Sequence, residues 1–539
     1  MSDREPARGG GPPRHAERRS VPALCLWTVV LVLLLPALVL YGQQVRPGAA
    51  LALQCVVVVH TGTALARVLT DPRVRVVAFG FWLFCYVWLG LAALAMVATE
   101  AYPWGFAVDP GTAFGAAAVV EAGLLAYSGG AALAGRRPGA TPATPGASGA
   151  PGVLEPLLAR RVTPLRVLLL CGLALLLAAV LVPAQGGLAV FFQSRQAVNE
   201  AAAQSVPGAA ADQALAAWSL SVPAFWALVA LLYVPRAGNG DRTLRGLRWI
   251  LLPVLLALNV VVNNPVSQPR FWAGTVLLTI LFGTSLLRRP RAFRIGAVAV
   301  TVAVLTVFPY GDYFRHDKRR PVEVVSLAEQ FTSNGDYDAF QQIATGLDHV
   351  RENGHSPGAA PGPPLFFVPR AVWPDKPEDS GILLARHAGY SFENLSAPLW
   401  IETYMWAGFP GVVAFFALFG AVSRRIDGIR DRLREHGGTL AALAVPAFGF
   451  YQLILLRGSL MFVMGPLALL IAVPLLVTAG VRRRRPAPPP GGGSAGGRAG
   501  TPAGPAPPAA YEPPAPARVP VSAARRTVPS PPSTGEART

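Results

Sequence analysis

The sequence is short of charged residues, and this shortage excludes most soluble proteins. Only 14% of its 539 residues are charged, whereas 52% are hydrophobic and the mean hydropathy is +0.42. Such a composition is typical of an integral membrane protein and not of a soluble or nucleic-acid-binding domain. Lysine is nearly absent, with Lys318 and Lys376 as its two occurrences. Together with abundant Ala, Gly and Pro, this preference for arginine indicates a high-GC bacterial genome.

Cysteine is also scarce, and metal-ligand spacing is missing. Cys25, Cys55, Cys85 and Cys171 all lie in apolar stretches, and their spacing indicates no pairing. We expect them to be packing residues inside the membrane, which excludes a disulfide framework and a zinc site. The acidic residues of the predicted outer side show no ligand spacing, so we expect no metal and no other cofactor.

A cleavage site is missing after the first apolar run. Arg18 and Arg19 precede 21 apolar residues, VPALCLWTVVLVLLLPALVLY, and no A-x-A-like sequence follows. The run is longer than the usual core of a signal peptide, so a retained first span is predicted.

Apolar runs of membrane-spanning length recur along the chain and predict an all-α integral membrane protein with about twelve transmembrane helices. They lie at 21–41, 47–66, 76–98, 112–135, 166–184, 215–234, 247–262, 271–287, 295–309, 402–422, 440–456 and 459–480. With both termini in the cytoplasm, 35 of the 47 basic residues face inward, as the positive-inside rule requires.

The predicted organisation has five parts. A basic cytoplasmic tail (1–20) precedes spans one to nine (21–309), a long extracytoplasmic loop (310–398), spans ten to twelve (399–480) and a disordered, basic, Pro/Ala/Gly-rich cytoplasmic tail (481–539). A flexible linker is expected at 138–152. Within the loop, apolar residues at helical spacing in 321–352 predict two short helices, broken at 333–335. Asp336 or Asp338 is expected to start the second of them, in preference to acting as a catalyst.

Four cations lie at predicted outer membrane boundaries, where the positive-inside rule disfavours them: Arg270, Arg370, Lys376 and Arg457. A guanidinium group binds two phosphate oxygens at once, so a lipid-linked diphosphate is the anion we expect them to bind. The alternative is that they are interface anchors whose charged ends reach the headgroups.

The sequences around these cations interrupt helices. Arg270 lies in NNPVSQPRFWAG, Arg457 in LLRGSLMF, and Arg370 and Lys376 in LFFVPRAVWPDKP, where Trp373 is expected at headgroup level. Interrupted backbone near a bilayer is tolerated where it is buried in protein or lines a watery cavity. These segments are therefore predicted to form the functional site.

The second half of the chain, roughly 260–460, resembles the oligosaccharide repeat unit polymerases, the Wzy-type O-antigen and exopolysaccharide polymerases. The blocks that carry the resemblance are NNPVSQPRFW, FPYGDYFR, GDYDAFQQI, PRAVWPDKP, NLSAPLWIETYMWAGFPG and LLRGSL, in this order. The resemblance implies a metal-independent glycosyltransferase, similar to GT-C type membrane enzymes, that joins repeat units carried on undecaprenyl diphosphate. Its site would face outward from the cytoplasmic membrane, among membrane lipid, with a chain-length regulator and a flippase as partners.

Chemistry and resemblance together suggest a role for each candidate residue. Arg270, Arg370 and Arg457, assisted by Lys376, would stabilise the leaving diphosphate. Glu402 is the first candidate for the base that activates the acceptor hydroxyl, and His387 is the second. Trp373, Asn264 and Asn394 complete the predicted substrate-binding set.

Three other functions stay open at this point. A lipid-linked oligosaccharide flippase would place its cations in a central cavity and keep its external loops short. A ligase that moves a finished glycan to another acceptor would use similar arginines. The third is a non-catalytic scaffold. His60 and Glu121, inside predicted spans, would be a proton-relay pair in a transporter or simply packed residues.

Overall fold

The computed structural model describes residues 19–135, 153–193, 209–234, 242–265, 268–284, 287–308, 325–393, 395–433 and 437–480. The predicted linker (138–152), the C-terminal tail (481–539), most of FPYGDYFR and Asn394 lie outside the described residues.

The described residues are almost entirely α-helical, which confirms the predicted all-α class. The helices are α1 (Val21–Leu40), α2 (Ala49–Leu69), α3 (Val76–Thr99), α4 (Pro110–Gly135), α5 (Leu154–Leu158), α6 (Pro164–Ala184), α7 (Ala209–Tyr233), α8 (Arg242–Val262), α9 (Arg270–Gly283), α10 (Pro290–Thr306), α11 (Leu327–Ser333), α12 (Ala339–Asn353), α13 (Ser380–His387), α14 (Leu399–Leu433), α15 (Leu440–Arg457) and α16 (Leu460–Val477). Short π-helical stretches lie inside α1 and α3, at Val30–Leu34 and Cys85–Ala92. The strands β1 (Arg161–Val162) and β2 (Thr478–Ala479) pair antiparallel, with Val162 opposite Thr478.

Eight of the helices in the described ranges are long and apolar enough to cross a membrane: α1, α2, α3, α4, α6, α14, α15 and α16. These helices indicate a multi-pass membrane protein. Each of the other four predicted spans coincides with one of α7 to α10. The apolar parts of α7, α8 and α9 are shorter than a full span, and α10 begins with arginines in its first two turns. The count of twelve spans therefore stays a prediction.

Helix α3 is the centre of the bundle, because every residue of its apolar window is buried. Its Phe81 ring stacks on Tyr127 of α4 at 3.6 Å between centroids, and Phe84 stacks on Trp400 of α14. Helices α4 and α14 approach backbone to backbone: a Cβ atom on Gly130 would lie 1.9 Å from the Ala417 carbonyl oxygen. Small residues at such contacts provide the close packing that holds membrane helices together.

Two helix breaks lie at the same end of this bundle. Between α8 and α9, the Asn263 side chain accepts a hydrogen bond from the Trp272 indole (2.8 Å) and donates to the Ser221 carbonyl (3.2 Å), so α9 begins at Arg270. Between α15 and α16, α15 ends at Arg457 and α16 begins at Leu460. Each break therefore holds an arginine at a helix terminus.

The segment 325–393 covers this end of the bundle. Its α11 and α12 match the two short helices expected in the loop, and the 3₁₀ turn Gly335–Tyr337 lies between them. Helix α12 buries Phe340 and Ile343, and its Gly346 lies against Ile401 of α14. The loop is thus packed onto the helices and holds the 3₁₀ turn beside the two breaks.

Candidate functional site

A cavity of about 860 Å³ lies where the 3₁₀ turn, the start of α9, the end of α15 and the start of α16 meet. Its polar lining includes Arg270, Asp336, Asp338, Asp379, Ser396 and Arg457. Its aromatic lining includes Trp104, Trp218, Phe271, Trp272, Phe392 and Tyr451. A volume of this size is sufficient for a small-molecule or oligosaccharide ligand.

Arg270 reaches the cavity from the first residue of α9. Its guanidinium forms an ion pair with the Asp336 carboxylate, and Nη1 donates to the Phe308 carbonyl at 3.4 Å. The guanidinium also lies over the Phe308 ring, 5.3 Å from its centroid. Arg270 and Asp336 are both largely buried, with 14% and 13% of their side chains exposed. Because so little water screens it, this ion pair is stronger than one on the surface.

Arg457 reaches the same turn from the last residue of α15. Its Nε donates to the Asp336 carbonyl (3.0 Å), and its Nη2 donates to the Gly335 carbonyl (2.9 Å) and the Asp338 carboxylate (3.0 Å). Two arginines from distant helices therefore converge on residue Asp336, one at its side chain and one at its backbone.

Asp338 is the most deeply buried acid of the cavity lining, with 2% of its side chain exposed. Its Oδ1 accepts hydrogen bonds from the Ser396 hydroxyl (2.8 Å) and from Arg457. Burial raises the pKa of Asp338 above the ordinary aspartate value, and the Arg457 charge opposes this rise. Asp338 occupies the position before α12, as expected, but its side chain makes no cap hydrogen bond and points elsewhere.

The two remaining acids of the lining have structural partners. Asp379 caps α13, because its Oδ1 accepts from the Gly381 amide at 2.8 Å, and its Oδ2 accepts from the Ser459 hydroxyl. Glu393 is exposed and pairs with Arg386 at 2.9 Å.

Trp104 forms part of the aromatic wall in an uncommon backbone conformation. Its φ is +65°, in the left-handed region that a bulky residue rarely adopts, and 46% of its side chain is exposed. The indole is 5.1 Å from the Phe392 ring, between centroids, and it lies against Gly335, where a Cβ atom would be 2.1 Å from the indole. The turn therefore requires glycine at 335 for close packing.

Arg370, Lys376 and Trp373 lie outside the described lining of this cavity. Arg370 is exposed and donates to the carbonyls of Lys376 (2.7 Å) and Pro377 (3.4 Å). The Lys376 ammonium donates to the carbonyls of Phe366 (2.6 Å) and Val368 (3.0 Å). Trp373 is half-buried within the same turns. In this structure both cations bind the backbone of their own loop, and their predicted contact with a phosphate stays a prediction.

The two predicted bases also lie apart from the described cavity lining. Glu402 is buried behind it, where Oε2 accepts from the Leu460 amide at 2.9 Å and so supports the N-terminus of α16. His387 lies at the end of α13, with its Nδ1 3.7 Å from Glu352 Oε2 and its ring beside His349. Their assignment as catalytic bases stays a prediction.

Asn264 is buried and donates to the carbonyls of Phe191 (2.8 Å) and Val261. These contacts fasten the end of α8 to the turn after α6, so its side chain serves the helix break. The neighbouring Pro265 and Gln268 do line the cavity.

His60 and Glu121 contact each other inside the bundle. His60 Nδ1 is 2.8 Å from Glu121 Oε1, and His60 Nε2 is 3.2 Å from the Ser128 hydroxyl. Both ring nitrogens are therefore hydrogen-bonded between α2 and α4, as in a packed histidine that links two membrane helices.

The sequence interpretation missed the functional position of Asp338, Ser396 and Trp104. The string GDYD held a signal, because two acids flank a tyrosine in a loop that follows arginine-bearing spans. Ser396 lies in the quoted block NLSAPLWIETYMWAGFPG, but no pattern there singled out this hydroxyl, and nothing in the sequence marked Trp104.

No group of three or more His, Cys, Asp or Glu side chains able to hold a metal is present in the described part of the chain. All four cysteines are free thiols there.

Comparison with known proteins gives no match: no family model, no curated protein and no solved structure matches this chain.

Proposed function

We propose that the protein is a membrane glycosyltransferase that polymerises undecaprenyl-diphosphate-linked oligosaccharide repeat units on the outer face of the cytoplasmic membrane. The observation that carries the proposal is the convergence of Arg270 and Arg457 on one turn inside a large cavity with aromatic walls.

The first support is the chemistry of the two guanidinium groups. Carboxylate and phosphate oxygens accept hydrogen bonds from arginine in similar geometry. In the structure the Asp336 carboxylate binds Arg270 as a phosphate oxygen would. A diphosphate carries a higher charge and would compete with this carboxylate for Arg270. Until such a ligand arrives, Asp336 holds the guanidinium group in place.

The second support is the mixed character of the walls. Met461, Phe462 and Val463 at the start of α16 give the cavity an apolar side, whereas Asp338 and Ser396 give it a polar one. Carbohydrate binds well against aromatic rings with hydrogen-bonding groups beside them. A lipid-linked oligosaccharide has the same division between a hydrocarbon part and a hydroxyl-rich part.

The reaction needs negative charge to be stabilised as the glycosyl bond to diphosphate breaks. Fixed arginines do this well, because they need no reorganisation when the charge develops. Arg270 and Arg457 are the two arginines that line the described cavity, and we assign this role to them.

The test is glycan length in a strain that lacks the gene and carries either the wild-type protein or Arg457→Ala. A polymerase predicts that the variant accumulates single repeat units on the lipid carrier, exposed on the outer face. Arg457→Lys keeps the charge but not the planar fork, and we expect partial chains.

Two outcomes would contradict the proposal. Repeat units that stay on the cytoplasmic side would identify a flippase. Full-length polymer that remains on its lipid carrier would identify a ligase. Membrane levels of each variant serve as the control for folding.

A further inference from the structure

Four carboxyl groups of the described residues line the cavity, and all four have partners. Asp336 pairs with Arg270, Asp379 caps α13 and binds Ser459, and exposed Glu393 pairs with Arg386. Asp338 differs from these three in its burial and its partners: its side chain is 2% exposed, and it is held by Ser396 and Arg457, which both line the cavity.

The Asp338 carboxylate is held in a fixed orientation through one oxygen. Both the Ser396 hydroxyl and Arg457 Nη2 donate to Oδ1. Gln342 Nε2 lies 3.5 Å from Oδ2, which is a long contact, and the Trp104 side chain on the aromatic wall also hydrogen-bonds to the carboxylate. A carboxylate offers about four lone-pair sites, and the long contact to Gln342 leaves room at Oδ2 for a further donor.

We propose that Asp338 is the proton acceptor for the attacking hydroxyl, with Ser396 and Arg457 as its positioning residues. The inference rests on the proposed function and assigns a residue to its acceptor half. The proposed base is therefore Asp338, which belongs to the described lining, in place of Glu402 and His387, which lie outside it.

The acceptor oxygen forms a bond to the anomeric carbon as its proton moves to Asp338 Oδ2. The bond between the anomeric carbon and the diphosphate oxygen breaks, and its electron pair leaves with the diphosphate, which Arg270 and Arg457 stabilise. The protonated Asp338 then returns its proton to water.

The surroundings of Asp338 make it a stronger base than an exposed aspartate. Burial raises the pKa of Asp338, and Arg457 together with the Ser396 hydrogen bond limits that rise. The charged and titratable groups that face it are Arg457 from α15, Asp336 from the 3₁₀ turn and Tyr390 after α13. Below its pKa the carboxyl group is protonated and cannot accept a proton, so activity should fall on the acidic side.

The experiment measures polymer formation by the full chain in proteoliposomes, supplied with lipid-linked repeat units extracted from the strain that lacks the gene. We expect Asp338→Asn to lower the turnover rate 10²- to 10⁴-fold with a small change in KM, as for loss of a general base. Asp348→Asn, a half-buried aspartate on α12 outside the described cavity lining, is the matched control and should keep full activity.

Two further measurements separate a chemical role from a structural one. Asp338→Ala should regain at least tenfold of its rate in formate, which supplies a small carboxylate, whereas Arg457→Ala should gain nothing. In Ser396→Ala the ionised Asp338 loses a hydrogen bond, so its pKa rises and the acidic limb of the pH–rate profile moves to higher pH. Ser396→Ala retains the Asp338 carboxylate and gives a result even if Asp338→Asn does not fold.

Each outcome has a distinct meaning. If the wild-type protein makes no polymer, the proposed function fails. If it does and Asp338→Asn stays within threefold of it, or if the acidic limb does not move in Ser396→Ala, Asp338 is not the proton acceptor.

Discussion

Two pairs of cations lie in the second half of this chain, in helix-breaking sequences that look alike, and the structure gives them opposite surroundings. Arg270 and Arg457 project from helix ends into a cavity, and each contacts an aspartate carboxylate. Arg370 and Lys376 lie in a proline-rich loop and bind that loop's own carbonyl groups. A cation bound to a carboxylate in a cavity can exchange that partner for another anion. A cation bound to backbone carbonyls holds a turn together.

The largest effect should be the difference in polymerisation rate between a variant of the cavity pair and a variant of the loop pair. We expect Arg457→Ala to lower the polymerisation rate by about 10²- to 10³-fold, the range for loss of one preorganised donor. Arg370→Ala should lower it less than tenfold, because the side chain is exposed and away from the cavity. The measurement is the initial rate in proteoliposomes. Equal losses for the two variants would remove the distinction between the pairs.

An intermediate effect should appear in the structure of the loop. Lys376→Met keeps the length of the side chain but loses both hydrogen bonds to Phe366 and Val368. Each such bond contributes about 1 kcal/mol, so the loop should open locally without unfolding the bundle. Limited proteolysis should then cleave within 363–377 several times faster than in the wild-type protein. Arg351→Met, in an exposed ion pair on α12, is a control that should not change the rate.

The smallest effect is a change of one pKa. Burial and the neighbouring Arg370 lower the pKa of Lys376. In Arg370→Gln one of these causes disappears, so the pKa of Lys376 should rise toward its ordinary value. Because the chain has two lysines, ¹³C-methylated protein gives two lysine signals to follow by NMR, and Lys376→Met assigns them. An unchanged titration would mean that the two cations are not neighbours in solution.

The sequence was sufficient to predict the helices and the two breaks that border the cavity, but not which side chains line it. Hydropathy located a helix at every predicted span, because apolar length is a local property. The breaks at Arg270 and Arg457 were also readable, since Asn, Pro and Gly at those points prevent a continuous helix. Four spans stay unsettled because the apolar parts of α7, α8 and α9 are short and α10 carries arginines.

The choice among candidate residues depended on tertiary contacts that no local pattern contains. Glu402 was a candidate base from its sequence position, yet its carboxylate accepts a hydrogen bond from the Leu460 amide at the start of α16. Asp338 looked like a helix-start residue, yet its carboxylate makes no cap hydrogen bond and is held by Ser396 and Arg457 at the cavity lining. Both outcomes are decided by residues more than 50 positions away.

The exposed Phe462 on the apolar side of the cavity has a consequence for kinetics. Its side chain lines the cavity and is 62% exposed on α16, a helix of membrane-spanning length, so this wall borders the region that lipid would occupy. A lipid-linked substrate would then arrive by lateral diffusion within the bilayer. Its apparent KM would scale with surface density, as a mole fraction of lipid, and adding inert lipid would slow the reaction at constant bulk concentration.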